Sequence, residues 1–143
     1  MIGRTSGLFP DVAPAREILF TPEADSWYKA LGNEDRGRLV ERIEQLREAG
    51  STLGWPAVER IKSSQHHKMK ELRSKTGNLR VLFAFDPRRR AVLLVGGDKT
   101  NSWKRWYKDN IPKADRLFDQ HLRNMGGEGP WRDGGNRSDG RAR

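Results

Sequence analysis

The chain of 143 residues contains no cysteine, and this absence excludes disulfide bonds, thiolate nucleophiles and thiolate-bound zinc or iron–sulfur sites. No apolar run approaches the roughly 20 residues that a transmembrane helix needs. The N-terminus also lacks the apolar core of a secretory signal peptide. We therefore expect a cytoplasmic protein that makes no membrane contact.

Several catalytic motifs are missing as well. The sequence has no Walker loop, no G-x-S-x-G elbow and no H-E-x-x-H helix, which argues against nucleotide hydrolases, esterases and metalloproteases. Its three histidines are His66, His67 and His121, and two adjacent side chains cannot point the same way on a regular strand. The sequence predicts neither a metal site nor a cofactor.

Positive charge is abundant and unevenly placed. The chain has 28 Lys and Arg against 19 Asp and Glu, giving a net charge of +9. Fourteen of these cations, with only three carboxylates, fall between Arg60 and Lys108. Such segregation favours a polyanionic partner, with nucleic acid first and an anionic membrane surface second. The middle of the chain is therefore where a functional site is expected.

Breaker residues divide the chain into a core and two ends. Hydrophobic residues make up 34% of the chain and charged residues 33%, so part of it is not expected to contribute to a core. Residues 1–13 and 126–143 are rich in Gly and Pro and show no periodicity. We predict a flexible leader over 1–13, one domain over 14–125, and a disordered Gly-rich tail over 126–143.

The sequence predicts a strand and two helices for the first half of the domain. Residues 16–21 are β-prone, and Pro22 follows at a position typical of a first helical turn. That helix is expected to run to Leu31. Asn33 is expected to cap a second helix that closes at Gly50, which makes a helical hairpin.

The sequence predicts three strands and a helix for the second half. After a connector with a helical turn at 58–61, the predicted strands are 68–74, 79–86 and 91–95. An apolar stripe then predicts a last helix that Pro112 starts or kinks. The resulting order is βααβββα, an α+β fold in which an antiparallel sheet packs against the helical hairpin and the C-terminal helix.

Two strand arginines are the main candidates for anion binding. If the apolar positions of the strand at 79–86 face the helices, Arg80 points to the opposite face, where Arg73 can lie alongside it. Two arginines on one open face repel each other unless an anion joins them. Lys99 follows the last strand closely enough to reach the same surface, and such cations bind phosphate. The alternative is structural pairing with Glu71, Asp86 or Asp98.

Aromatic and imidazole side chains supply further candidates. Rings interleaved with cations suit base stacking and phosphate binding. The residues concerned are Trp103, Lys104, Arg105, Trp106, Tyr107 and Lys108. The alternative for these rings, above all Trp106, is core packing. Either His66 or His67 has the chemistry of a general acid or base, although a hydrogen-bonded or exposed role is favoured for His66, and His121 fits a satisfied core histidine.

Three blocks resemble a known family. HHKMKELR at 66–73, RVLFAFDPRRRAVLLVGGDKT at 80–100 and WKRWYKDNIPKAD at 103–115 are similar to the phage-derived branch of the RelE/HigB toxins. The resemblance covers roughly residues 16–122. It implies a RelE-like, microbial RNase-like fold, and a toxin neutralised by an antitoxin that is often a helix-turn-helix protein.

The resemblance also implies a chemistry and site residues. Typical members cleave mRNA on the ribosome without metal, when a 2′-hydroxyl attacks its own phosphate and leaves a cyclic phosphate. Arg73, Arg80 and Lys99 would bind that phosphate, and His67 or Tyr107 would transfer protons. The additional RNA-binding candidates are Lys68, Lys70, Trp103, Lys104, Arg105 and Lys108. The Trp/Tyr segment after Lys99 and the Gly-rich tail depart from the family pattern.

Two other functions remain open at this point. A non-catalytic inhibitor of DNA gyrase, like the ParE branch of the same superfamily, needs no phosphate-binding cations and no acid or base. An RNA-binding phage accessory protein would bind RNA with steep salt dependence and cleave nothing.

Overall fold

The computed structural model describes residues 17–98 and 103–126. Lys99, the predicted leader at 1–13 and all of the predicted tail except Gly126 lie outside these ranges. The elements are, in order, β1 (Ile18–Phe20), α1 (Pro22–Ala30), α2 (Asn33–Ala49), β2 (Val58–Arg60), β3 (Lys70–Arg73), β4 (Leu79–Phe85), β5 (Ala91–Asp98) and α3 (Trp103–Met125). Among the described residues, no helix combines the length and the apolar content needed to cross a bilayer.

The five strands form one sheet in the order β1-β5-β4-β3-β2. β1 pairs with β5 in parallel, and the remaining pairs are antiparallel. The α+β class and the predicted arrangement of sheet, helical hairpin and C-terminal helix are confirmed. The predicted helical turn at 58–61 is wrong, because Val58–Arg60 is an edge strand paired with β3.

The helical hairpin forms largely as predicted. Pro22 occupies the first turn of α1, and the Thr21 hydroxyl caps it by accepting from the Ala24 N–H at 3.0 Å. α2 ends at Gly50, whose φ of 61° favours glycine. The prediction that Asn33 caps α2 is wrong, since Gly32 is the cap and Asn33 is already helical.

The sheet separates two cores. One face packs against α1 and α2 through the residues that alternate along β4, including Val81 and Phe83. The other face packs against α3, where Leu82 and Ala84 meet Ile111, Ala114 and Phe118. Arg80 belongs to this second face, so α3 determines how much of it solvent can reach.

α3 is continuous through Pro112, so the prediction that this proline starts or kinks the helix rather than lying inside it is wrong. Pro112 is exposed while Ile111 and Ala114 beside it are buried. The carbonyl that loses its helical donor therefore faces solvent, where water can hydrate it. Packing on the inner side keeps the helix intact.

Two glycines at the end of β5 allow close approach of helices to the sheet. A β-bulge between Leu82 and Phe83 shifts the β4–β5 register, and Gly96 then faces Trp27 while Gly97 faces Trp106. A Cβ on Gly97 would lie 2.0 Å from Trp106 Nε1. Gly97 is also the partner of Arg80 in the register, so this contact places the start of α3 next to Arg80.

Asp86 fixes the turn between β4 and β5 to the end of α3. Its buried carboxylate accepts hydrogen bonds from the backbone N–H groups of Arg88 and Arg90, from Arg90 Nε, and from His121 Nε2 at 2.9 Å. Burial alone raises the pKa of Asp86, but the bonds from His121 and Arg90 outweigh it and hold the pKa below the ordinary 3.8. His121 is thus hydrogen-bonded, as predicted, at the partly exposed edge of the core.

We expect Asp86→Asn to destabilise the fold by about 2–4 kcal/mol at pH 7, because charged hydrogen bonds are lost in a buried site. A lowered folded pKa stabilises the native state above pH 3.8, and this contribution disappears as the pH falls through the folded pKa. Urea unfolding at pH 7 and pH 3 should show a smaller difference between wild type and variant at pH 3. Asp109→Asn, which removes an exposed partner of Arg105, is the matched control, and an equal loss in both variants would contradict this role for Asp86.

Candidate functional site

Arg73 and Arg80 lie side by side on adjacent strands. They are register partners across β3 and β4, so their side chains share the face that α3 covers. The juxtaposition expected from strand alternation is present. The expectation of an open face is wrong for Arg80, which is only 8% exposed beneath the first turns of α3.

Glu71 is the anion that joins the two arginines. It lies two residues before Arg73 on β3, hence on the same face, and is 1% exposed. Its Oε2 is 3.0 Å from Arg73 Nε and 3.7 Å from Arg80 Nε. One buried carboxylate therefore serves two guanidinium groups, and the pairing with Glu71 that the sequence left as an alternative is present for both.

Tyr107 completes the cluster from α3. Its hydroxyl donates a hydrogen bond to Glu71 Oε1, the carboxylate oxygen that the arginines leave available. Burial raises the pKa of Tyr107 most, and the hydrogen bond and the negative charge of Glu71 raise it further, against the opposing effect of Arg80 and Arg73. Tyr107 is therefore a protonated phenol at neutral pH and a weaker acid than a free tyrosine.

The cluster of Glu71, Arg73, Arg80 and Tyr107 is poorly solvated, and the charges of its two arginines are balanced by Glu71 and by Glu59 at its rim. Two permanent cations face one fully buried anion, and Glu59, which also bonds to Arg73, is half exposed at the rim. Arg80 Nη1 donates to the Leu79 carbonyl at 2.9 Å, while its buried Nε has no hydrogen-bond partner. The cluster meets solvent at Arg73, whose side chain is 22% exposed, and at Glu59.

The structure does not bring His67 to this cluster. The loop that carries it is fixed to the middle of α3, where the Gln65 N–H donates to Asp115 Oδ2 at 3.0 Å and His66 Nε2 lies 2.8 Å from Asp119 Oδ1. Asp115 is eight residues beyond Tyr107, about 12 Å along a helix. His66 is hydrogen-bonded, as favoured from the sequence, and His67 is exposed.

The predicted RNA-binding residues lie in three places. Trp103, Lys104, Arg105 and Lys108 are exposed on the first turns of α3, around Tyr107. Lys68 is exposed ahead of β3. Lys70 points to the opposite face of the sheet, with Nζ 5.5 Å from the Phe85 ring centroid. Lys70 is thus separated from the cluster by strand alternation.

The sequence left base stacking and core packing open for Trp106. It is partly buried, packs against the α3-side core and lies over Gly97, which makes it chiefly a structural residue. Trp103 is 50% exposed, and its ring centroid is 6.1 Å from that of Tyr107. Within residues 17–98 and 103–126, no group of three or more His, Asp or Glu side chains is placed to hold a metal ion.

Sequence reasoning missed Trp55 and Glu59 as neighbours of the cluster. Glu59 accepts a hydrogen bond from Arg73 Nη2, and the Arg73 guanidinium lies 4.7 Å from the Trp55 ring centroid. The sequence around Glu59 predicts a helical turn, which does not place its side chain beside β3. Trp55 stands in an aperiodic connector, and only its aromatic character next to Pro56 distinguished it.

Comparisons with known proteins agree on a family. The model of the phage-derived protein Gp49-like family (DUF891) matches residues 26–119. Two Mycobacterium tuberculosis proteins named as candidate toxins are similar to this chain: HigB3 is 42% identical over 78% of the chain and 98% of its own length. HigB2 is 40% identical over 68% of the chain and 50% of its own length.

A solved structure is also similar, the RelB–RelE antitoxin–toxin complex from Methanococcus jannaschii. It has a TM-score of 0.48 and 16% identity, and the match covers 62% of this chain and 98% of that chain. The family model spans well over half of the chain, and HigB3 aligns over nearly its whole length. The chain therefore belongs to the Gp49-like family of phage-derived proteins, the HigB/RelE type of toxin in toxin–antitoxin systems.

Proposed function

We propose that the chain is a metal-independent endoribonuclease that cleaves mRNA on the ribosome and so inhibits translation. The observation that carries the proposal is the convergence of Arg73, Arg80 and Tyr107 on the single carboxylate of Glu71. Cleavage of RNA through its own 2′-hydroxyl requires a base for that hydroxyl, cations at the phosphate and an acid for the leaving oxygen, and the last two must come from the protein if water is the base. The cluster provides both kinds of group in one place.

Each member of the cluster has a distinct task in this proposal. Arg73, partly exposed, binds the non-bridging oxygens of the phosphate, and Arg80 stabilises the added negative charge from beneath it. The 2′-hydroxyl attacks the phosphorus and gives its proton to solvent water as the base, the bond to the 5′-oxygen breaks, and Tyr107 gives its proton to that oxygen and takes one back from water. Glu71 is a positioning residue, since it holds both guanidinium groups and the phenol. Lys99 remains a proposed third cation, on the basis of the resemblance.

The surface around the cluster supports RNA as the substrate. Lys104, Arg105 and Lys108 are exposed on the same end of α3 as Tyr107. A gyrase inhibitor would require neither the paired arginines nor a protonated phenol beside them. The proposed partners are mRNA, the ribosome and an antitoxin, which the resemblance indicates to be a helix-turn-helix protein.

Incubation of the purified chain with ribosomes paused on a defined mRNA tests the proposal. We expect cuts in the mRNA that leave 2′,3′-cyclic phosphates, that persist in EDTA, and that are absent without ribosomes. Intact mRNA together with inhibition of DNA supercoiling would overturn the proposal in favour of the gyrase inhibitor. RNA binding without cleavage would instead identify an accessory protein.

Arg73→Ala provides the matched variant for this assay. We expect about tenfold slower cleavage, because Arg73 is partly solvated and its charge is shared with Glu59 and Glu71. Arg60→Ala removes an exposed cation from the neighbouring strand β2 and should cleave at the wild-type rate. Equal cleavage rates for wild type and Arg73→Ala would show that Arg73 does not bind the phosphate.

A further inference from the structure

Trp55 is an unusually exposed indole at the edge of the cluster. It is 70% exposed, although a tryptophan side chain is normally among the most buried of a domain. Only Val40 and Trp103 are also large, apolar and exposed among the described residues. An indole exposed to water contributes little hydrophobic free energy to folding. Fold stability therefore does not explain a tryptophan at this position.

The position of Trp55 is fixed by the strand that carries Arg73. The Arg73 N–H donates to the Ala57 carbonyl at 2.9 Å, and the Val58 N–H donates to the Gly54 carbonyl at 3.0 Å. The Arg73 guanidinium stacks on the indole, 4.7 Å from the ring centroid. One face of Trp55 is thus covered by a cation of the cluster, and most of the remaining ring is open.

We propose that Trp55 is a stacking platform for a nucleobase of single-stranded RNA, the base next to the phosphate held by Arg73. This inference rests on the proposed function and extends it to substrate recognition. A ligand that presents an aromatic plane beside an anion fits an indole backed by a guanidinium, and successive nucleotides present that combination. Because every base has a π-face, the platform accepts any base and contributes affinity without sequence preference.

Binding of a labelled, single-stranded RNA whose 2′-positions are all methylated tests the platform, since this RNA cannot be cleaved. Fluorescence anisotropy with the full chain at low salt should show about 5- to 100-fold weaker binding for Trp55→Leu. Trp55→Phe keeps a ring and should stay near wild type. The slope of log affinity against log salt should not change in either variant, because no cation is removed.

Val40→Ala, which trims another exposed apolar side chain on α2, is the control for loss of surface area and should bind as wild type does. Unchanged binding by Trp55→Leu, equal weakening by the Leu and Phe variants, or no binding by the wild type would each overturn the platform. Loss of antitoxin binding with intact RNA binding would also overturn it and assign Trp55 to a protein contact.

The same assay separates this inference from the proposed function. If the methylated RNA binds through Trp55 and no mRNA is cleaved on ribosomes, the platform stands and the nuclease proposal fails. If ribosomal cleavage occurs but Trp55→Leu binds RNA normally, the nuclease stands and the platform fails.

Discussion

Replacing Arg80 by alanine is expected to slow mRNA cleavage by about 10²–10³-fold, the loss typical of removing one preorganised donor from a transition-state anion. The effect should exceed that of Arg73→Ala because Arg80 is 8% exposed and acts in a medium of lower dielectric constant. Single-turnover cleavage on programmed ribosomes measures it. In cells, the variant should no longer arrest growth.

Arg80→Ala leaves Glu71 buried with Arg73 and Tyr107 as its remaining partners, so the fold must be checked by thermal unfolding. Arg80→Lys keeps the charge and loses the planar donor set, and we expect cleavage between wild type and the alanine variant. Retained binding of the antitoxin by Arg80→Ala would show that the surface is intact. If folded Arg80→Ala cleaves mRNA at the wild-type rate, Arg80 takes no part in the reaction.

Strand alternation is the part of the site that the sequence could predict. A period of two along β4 separates Val81 and Phe83 from Arg80, and a short turn to β3 brings Arg73 beside it. Both inferences need only neighbouring residues and an ordinary hairpin. The same local rules located α1 from Pro22 and the end of α2 from Gly50.

The features that the sequence did not predict depend on distant contacts. β2 has three residues, of which only Val58 is buried, so its identity as a strand comes from pairing with β3. The burial of Arg80 depends on α3 crossing that face, with Gly97 admitting Trp106. Nothing in the pattern of β4 distinguishes an open face from one that a later helix covers.

Glu71 bears on both interpretations of the arginines, structural pairing and phosphate binding. From the sequence, pairing with a carboxylate and binding of a phosphate were alternatives for Arg73 and Arg80. In the structure the arginines share the buried Glu71 carboxylate, which fixes their geometry, and the second carboxylate that balances them, Glu59, lies half exposed at the rim. Structural pairing and anion binding are therefore compatible here.

Tyr107→Phe is expected to lower the rate of cleavage by about 10²–10⁴-fold, the usual contribution of a positioned general acid. The ring should keep its packing against Trp106, so substrate affinity should change little. Tyr28→Phe, which changes the only other tyrosine of the chain and lies in the hairpin-side core, is the matched control and should cleave normally.

The pH dependence tests whether Tyr107 stays protonated over the working range. Because burial and Glu71 raise the pKa of Tyr107 above 10.0, the phenol stays protonated from pH 6 to pH 9.5. The wild-type and Tyr107→Phe rates should therefore differ by a constant factor across that range. The free energy of unfolding depends on the same shift. Because Tyr107 ionises at a lower pH in the unfolded chain than in the folded one, its contribution to stability is complete below pH 10 and decreases above it. A rate difference that disappears toward pH 9.5 would mean that Tyr107 ionises below pH 10, which the burial of the phenol and its hydrogen bond to Glu71 oppose.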